Sequence, residues 1–288
     1  MFFYIKHHHR LKFDSPVFCE PSILRLHPQS RLGVRIHEVR LHLQPEIGEL
    51  FLQQDVDGNA CWKIVFSEIS SVVSVTSTSC VEVWRENQAA SLQPTAVPFS
   101  LQYRDSEAER VAHYASPVYP SEVIKDLADN VRGKSDGTMG GLISDLLSCF
   151  STGFCWSQEN THQQVIPEKW IDRVGGSVID GAVAFAETTR AMNLPARVVQ
   201  GYRAGFADEM EASLAAWVEL YLPDSGWLGF DPEIGQPVDE TYIATACSKT
   251  ALGWALMSGK YRGHCRSPRI NTRIFIRQAA ESPLARSW

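Results

Sequence analysis

The groups in this 288-residue chain that could carry chemistry are seven cysteines, nine histidines and a few well-placed acids. The cysteines are Cys19, Cys61, Cys80, Cys149, Cys155, Cys247 and Cys265, an odd and scattered set without a CxxC pair. That spacing supports neither a zinc ribbon nor a thioredoxin-like redox site. They read as reduced, mostly buried thiols, because free cysteine is among the most buried residue types. A nucleophilic thiol or hydroxyl needs a base within reach and a third group to orient that base. Cys155 is read as core packing, and Ser177 is an unactivated hydroxyl. His7, His8 and His9 suggest a metal tract, yet neighbours on a strand point to alternate faces and cannot converge on one ion. They are placed in an edge strand. Asp231, followed by Pro232, reads either as an orienting acid or as a turn cap.

The elements that must position these groups are clearest between residues 175 and 231. Val178, Ala182, Phe185, Ala186, Thr189 and Met192 recur at helical spacing, so one face of a helix is apolar and buried. It opens at a glycine pair and closes at Asn193-Leu194-Pro195, with Asp180 in its first turn against the positive end of the helix dipole. Residues 196–204 and 215–222 read as strands, the second with Ala216, Val218, Leu220 and Leu222 in alternation. Residues 223–226 form a tight turn and 227–231 return, which brings Asp231 within a few residues of Val218. Upstream, Ser121 caps a helix that ends at Gly133, and a second helix ends near Gly153. Residues 1–88 read as antiparallel β structure with a hairpin turn at Asp57-Gly58-Asn59. Four prolines among small and polar residues mark 89–120 as a linker. Residues 269–278 read as a final strand that closes the sheet.

Composition narrows the function classes. Apolar residues make up 44% and charged residues 21%, ordinary for a globular chain with a substantial core. A net charge of -6 without long like-charge blocks gives no reason to expect a nucleic-acid partner. No apolar run approaches the length of a membrane span, and the basic residues of the N-terminus follow its short apolar run, the reverse of a secretory signal. The expectation is a cytoplasmic protein without cofactor or metal.

Several short segments, taken in order, resemble the bacterial transglutaminase-like family of papain-like cysteine enzymes. They include Leu24-Arg25-Leu26-His27-Pro28, Arg190, Leu194-Pro195-Ala196-Arg197, Gly201-Tyr202, Ala216-Trp217-Val218-Glu219, Gly226-Trp227, Gly229-Phe230-Asp231-Pro232 and Lys260-Tyr261-Arg262-Gly263. The resemblance implies an α+β fold, with an N-terminal antiparallel β region (1–88), a linker (89–120) and a papain-like transglutaminase core (121–288) in which a helix packs on an antiparallel sheet. It places the nucleophile at Val178, between Gly176 and Asp180, and the base at Ala215, with Asp231 as the acid. Two of the three catalytic groups are thus replaced by side chains with no proton to move, and losing one triad member already costs several decades in rate. The implied function is a non-catalytic protein whose cleft, lined by Val178, Tyr202, Ala215, Trp217 and Asp231, binds a peptide or protein segment. Two alternatives stand beside it: an enzyme with a relocated nucleophile at Cys155 or Ser177, although His162 and His264 lie outside the hairpin that would carry the base, and a structural partner acting through the outer faces of the β region. No feature of the sequence fixes an oligomeric state.

Overall fold

The computed structural model describes residues 1–84, 103–157, 166–205, 210–212, 214–223, 225–250, 253, 255–265 and 268–279. The N-terminal strands are β1 (Phe2–Cys19), β2 (Ser22–Leu24), β3 (Val34–Gln44), β4 (Ile47–Gln54), β5 (Ala60–Phe66) and β6 (Ile69–Val83). Helices α1 (Asp105–Ala115), α2 (Glu122–Lys134) and α3 (Met139–Gly153) follow, then β7 (Cys155–Ser157), α4 (Pro167–Asp172) and β8 (Gly175–Ser177). The central helix is α5 (Val178–Ala191), succeeded by β9 (Ala196–Arg203), β10 (Met210–Ala212), β11 (Leu214–Leu222) and β12 (Gly226–Asp231). The last strands are β13 (Gln236–Pro237), β14 (Tyr242–Ser248), β15 (Met257–Ser258), β16 (Tyr261–Arg262) and β17 (Arg269–Ala279). The fold is α+β, with mostly antiparallel sheets, a papain-like core and an N-terminal β region.

The core sheet runs β13-β12-β11-β9-β14. Alternation along β11 sends Ala216, Val218 and Leu220 toward α5, where they join Ala182, Phe185 and Ala186 in one apolar cluster. Asn193 takes a left-handed φ of 64° just past the helix, the conformation that ends a helix and for which asparagine is tolerated. The expected cap of α2 is only partly realised: Ser121 stands at the N-cap but makes no side-chain cap bond, and the helix runs one residue beyond Gly133. The cap of α3 is Thr138, whose Oγ1 accepts from the Gly141 amide at 3.0 Å.

Several residues that carry the family resemblance hold this core together. Arg190 is fully buried, paired with Glu187 and donating to the carbonyls of Ala196 and Lys249. Glu187 in turn accepts the amides of Val118 and Tyr119 at 2.8 Å each, so both members of the buried pair have further hydrogen bonds. Glu219 sits between Arg31 and Arg197, and the Arg197 guanidinium lies 4.2 Å over the Trp227 ring. Burial works against the Glu219 charge, but the two arginines outweigh it and bring its pKa down to about 2.

The β region is also joined to the core along β14. Along the outer edge of β14, the Gln29 amide donates to Ala244 O at 2.8 Å, and Asn59 exchanges two 2.8 Å bonds with the backbone of Cys247. These contacts cover an edge that would otherwise expose unpaired backbone groups. The Asn59 loop is itself closed by Asp55, which accepts the Asp57 and Asn59 amides, as the turn signal there predicts.

Three expectations are corrected. The segment 105–115, read as linker, is α1: its prolines fall outside the stretch, which leaves alanine, glutamate and arginine free to form a helix, and Tyr114 packs edge-on against Trp227 at 5.0 Å. The strand β17 does not close the core sheet; it pairs with β1 in a sheet ordered β10-β17-β1-β6-β3. For the same reason the histidine tract is not on an edge, because β1 lies between β17 and β6. His7 and His9 face inward and are buried, whereas His8 faces outward and bonds Thr76.

Candidate functional site

The positions matched to the nucleophile, base and acid fall at the N-terminus of α5, on β11 and at the end of β12. Val178 opens α5 and is packed into the apolar cluster with Trp170 and Leu142. Ser177 caps the helix, its Oγ accepting the Asp180 amide at 3.1 Å, and is 6% exposed. That structural role accounts for the hydroxyl without chemistry. Burial, against the pull of the Ser177 bond, raises the Asp180 carboxyl above its ordinary range.

On the face of β11 opposite α5, Ala215 and Trp217 share an apolar cluster with Val199, Tyr242, Ala244 and Cys247. The Trp217 ring meets Tyr242 edge-on at 5.3 Å. It also lies over Gly201, where a Cβ would come within 2.8 Å of the ring and 2.2 Å of Ile243 O, so only glycine fits there. The Trp217 indole nitrogen has no hydrogen-bond partner among the described residues.

Asp231 is 1% exposed and engaged on both oxygens. Oδ2 accepts from the Tyr242 hydroxyl at 2.7 Å and from Arg203 at 3.2 Å. Oδ1 accepts the amides of Glu233 at 2.9 Å and Ile234 at 3.3 Å. Burial and the neighbouring Asp231 charge push the Tyr242 hydroxyl pKa up. Burial also works against the Arg203 charge, but its bonds to Tyr242 and Asp231 outweigh that and raise its pKa. The turn-cap reading and the acid position therefore meet in one carboxylate, which spends its second oxygen on a tyrosine and an arginine.

The structure thus gathers Ala215, Trp217 and Asp231 on one side of the sheet, and places Val178 in the cluster beneath α5. Tyr202 does not join them. It is 1% exposed, packs with Phe3, Ile5 and Ile276 from the β region, and meets His7 Nδ1 at 2.9 Å. It therefore belongs to the junction of the two sheets rather than to a cleft. Arg203 and Tyr242 are the two participants that sequence reasoning missed. They reach Asp231 from β9 and β14, across strand pairings that no local spacing reveals.

Cys155 is another departure. Expected in the core, it is exposed, because β7 is a three-residue strand paired in parallel with β8, with Cys155 opposite Gly175. Gly175 has φ of 135°, and a Cβ there would fall 2.0 Å from Cys155 O, so the close approach depends on glycine. His264 is exposed, and its backbone carbonyl accepts from Ser15. His162 lies outside the described residues. Among the described residues no group of three or more histidine, cysteine, aspartate or glutamate side chains could hold a metal ion. No helix is long and apolar enough to cross a membrane.

Comparison with known proteins agrees with the fold. Residues 3–82 match the bacterial transglutaminase-like N-terminal region, and residues 125–232 match the transglutaminase-like superfamily. The chain is a transglutaminase-like superfamily protein. Among solved structures, a candidate cysteine protease from Cytophaga hutchinsonii shares the fold at a TM-score of 0.75 and 18% identity, over 98% of this chain and 93% of that one. The periplasmic domain of TgpA from Pseudomonas aeruginosa aligns at a TM-score of 0.38 and 17% identity, over 79% and 87% of the two chains. No curated protein matches.

Proposed function

We propose that this is a non-catalytic transglutaminase-like protein that binds a peptide or protein segment without turning it over. One observation carries the reading: the acid of the constellation is fully bonded to Tyr242, Arg203 and two backbone amides, with alanine where its imidazole would stand. A carboxylate held this way has no imidazole to orient, and Val178 supplies no nucleophile. The residues that carry the family resemblance, Arg190, Gly201, Glu219 and Trp227, all have structural work, which explains a sound fold without a triad. Because Val178, Ala215, Trp217 and Asp231 are 1–7% exposed, a bound segment would lie across the mouth of the region, over Arg203 and Glu233. Seven free cysteines fit the reducing cytoplasm as its compartment.

A second reading is favoured by the exposure of Cys155, which the β7–β8 pairing holds opposite Gly175, close before the start of α5. One experiment separates the two. The purified protein is assayed for amine incorporation into glutamine substrates and for peptide hydrolysis, alongside Cys155→Ala. The expected result is no turnover above buffer in either protein. Turnover that survives repurification and disappears in Cys155→Ala overturns the non-catalytic reading.

A further inference from the structure

The outward face of the β1 sheet carries a concentration of positive charge that the site described above does not use. Alternation along β1 buries Ile5, His7 and His9 and turns Lys6, His8, Arg10 and Lys12 outward. The pairing with β17 sets Arg273 opposite His8, Asn271 opposite Arg10 and Arg269 opposite Lys12. Between these rungs runs an open groove of about 660 Å³, lined by His8, Arg10, Lys12, Arg269, Arg273 and Phe275.

Six arginines elsewhere in the molecule, Arg25, Arg31, Arg190, Arg197, Arg203 and Arg262, each sit against a carboxylate. Among the described residues, none of Lys6, Arg10, Lys12, Arg269 and Arg273 has one within ion-pair distance. Three of the acids on this face are set aside from the groove, and Glu211 of β10 stands in register with Phe275 at its edge. Glu38 is held by Arg40, Glu82 by His37 and Arg35, and Asp14 follows Lys12 where the strand register breaks. A chain of net charge -6 thus keeps a patch of unopposed cations on one sheet face. Such a patch raises the local concentration of anions and steers their approach.

We propose that this face of β1 and β17 is a docking site for an acidic, extended polypeptide segment of a partner protein. Alternate side chains of an extended segment are spaced about 6.6–6.8 Å apart, the same repeat as the rungs of the sheet beneath. Acids at every second position therefore fall in step with Arg273, Arg10 and Lys12. Arginine suits this role because its planar fork can take a carboxylate through two parallel bonds. The face offers little to a single-stranded nucleic acid, which binds by stacking its bases on aromatic rings. Tyr4 is already covered by Arg277 at 4.9 Å, and Phe275 is half-buried.

The test is fluorescence anisotropy with the full chain and a labelled Glu-Thr repeat peptide of about twelve residues, long enough to span the β1–β17 ladder. Its Gln-Thr counterpart, a single-stranded oligonucleotide and phosphatidylserine vesicles are measured alongside. The proteins compared are wild type, Arg10→Gln/Arg273→Gln, Arg10→Glu/Arg273→Glu and, as a control on another face, Lys125→Glu. The Glu-Thr peptide is expected to bind in a salt-sensitive manner and the Gln-Thr peptide at least tenfold more weakly. The Arg10→Gln/Arg273→Gln pair is expected to lose about tenfold, or about 1.4 kcal/mol, the charge-reversed pair more, and Lys125→Glu nothing. All four proteins should show the same thermal unfolding, since the altered side chains are exposed. The proposal is overturned if the Glu-Thr peptide fails to bind, if both peptides bind alike, or if the Arg10/Arg273 variants bind as wild type. Tighter binding of the oligonucleotide or vesicles through the same arginines would also overturn it and reassign the face to phosphate ligands.

Discussion

Lowering the pH should loosen the junction between the β region and the core through His7. This side chain is 0% exposed, its Nδ1 meets the Tyr202 hydroxyl at 2.9 Å, and its Nε2 has no partner among the described residues. Burial, aided by His9 and His8, brings its pKa down from 6.5 to about 3. The unfolded chain takes up a proton near pH 6.5 that the folded chain refuses until near pH 3. A folded pKa depressed in this way gives stability that is complete above the unfolded value and is lost as pH falls toward the folded one. The slope in that window is about 1.4 kcal/mol per pH unit, so at pH 5 the loss due to His7 is about 2 kcal/mol. That is a large fraction of the roughly 5–15 kcal/mol that holds a typical domain folded. His7→Gln keeps a polar amide against Tyr202 but cannot titrate. Urea unfolding of both proteins at a series of pH values between about 5 and 7.5 reads the difference in slope, expected to be close to one proton. Equal slopes would refute the reasoning, because they would mean that His7 is already protonated, or reached by water, in the folded protein.

Two further outcomes follow from the site. Trp217→Ala should lower stability by about 3 kcal/mol or more, since it removes a large buried ring from over Gly201 and against Tyr242; equilibrium unfolding checks this, and a loss below about 1 kcal/mol would show that the ring is not part of the core. Val178→Cys with Ala215→His should leave the new thiol with the pKa of Val178→Cys alone, because Asp231 is already held by Tyr242. Adding Tyr242→Phe, which removes a charge-assisted bond worth about 1.5–3 kcal/mol, should then lower the thiol pKa by about one unit or more. Thiolate absorbance against pH measures it, and a depressed pKa in the double variant would show that Tyr242 does not compete for the acid.

The central helix and its hairpin could be read from the sequence because their periods differ and each is cleanly bounded. Val178, Phe185 and Met192 repeat at helical spacing, Ala216, Val218 and Leu220 at strand spacing, and asparagine or glycine stands at the turns. The assignment of Val178, Ala215 and Asp231 rests on the resemblance of ordered segments to the family. What an element pairs with was not legible. The alternation of 269–279 announces a strand but does not say that its neighbour is β1. The prolines around α1 concealed a helix that they flank rather than interrupt. Tyr202 sits in a recognisable segment, yet only the packing of two sheets decides that it faces His7. Arg203 and Tyr242 escaped because a carboxylate's partners are chosen by register across β9 and β14, and Cys155 because three residues of parallel strand leave no periodic trace.

The pairing of β17 with β1 joins residues at opposite ends of the described chain, Phe2 with Ala279 and Lys12 with Arg269. During synthesis the first strand thus emerges long before one of its two neighbours exists. Until then β1 can pair only with β6, leaving a row of backbone groups and the inward faces of Ile5 and His7 without their native cover. Such an unpaired edge invites association with other chains. Closure of the sheet is therefore late and non-local, and slow for that reason. A fragment ending near residue 88 would hold the sequence of the β region without the strand that completes it, and should be recovered as aggregate unless a peptide spanning 269–279 is supplied in trans.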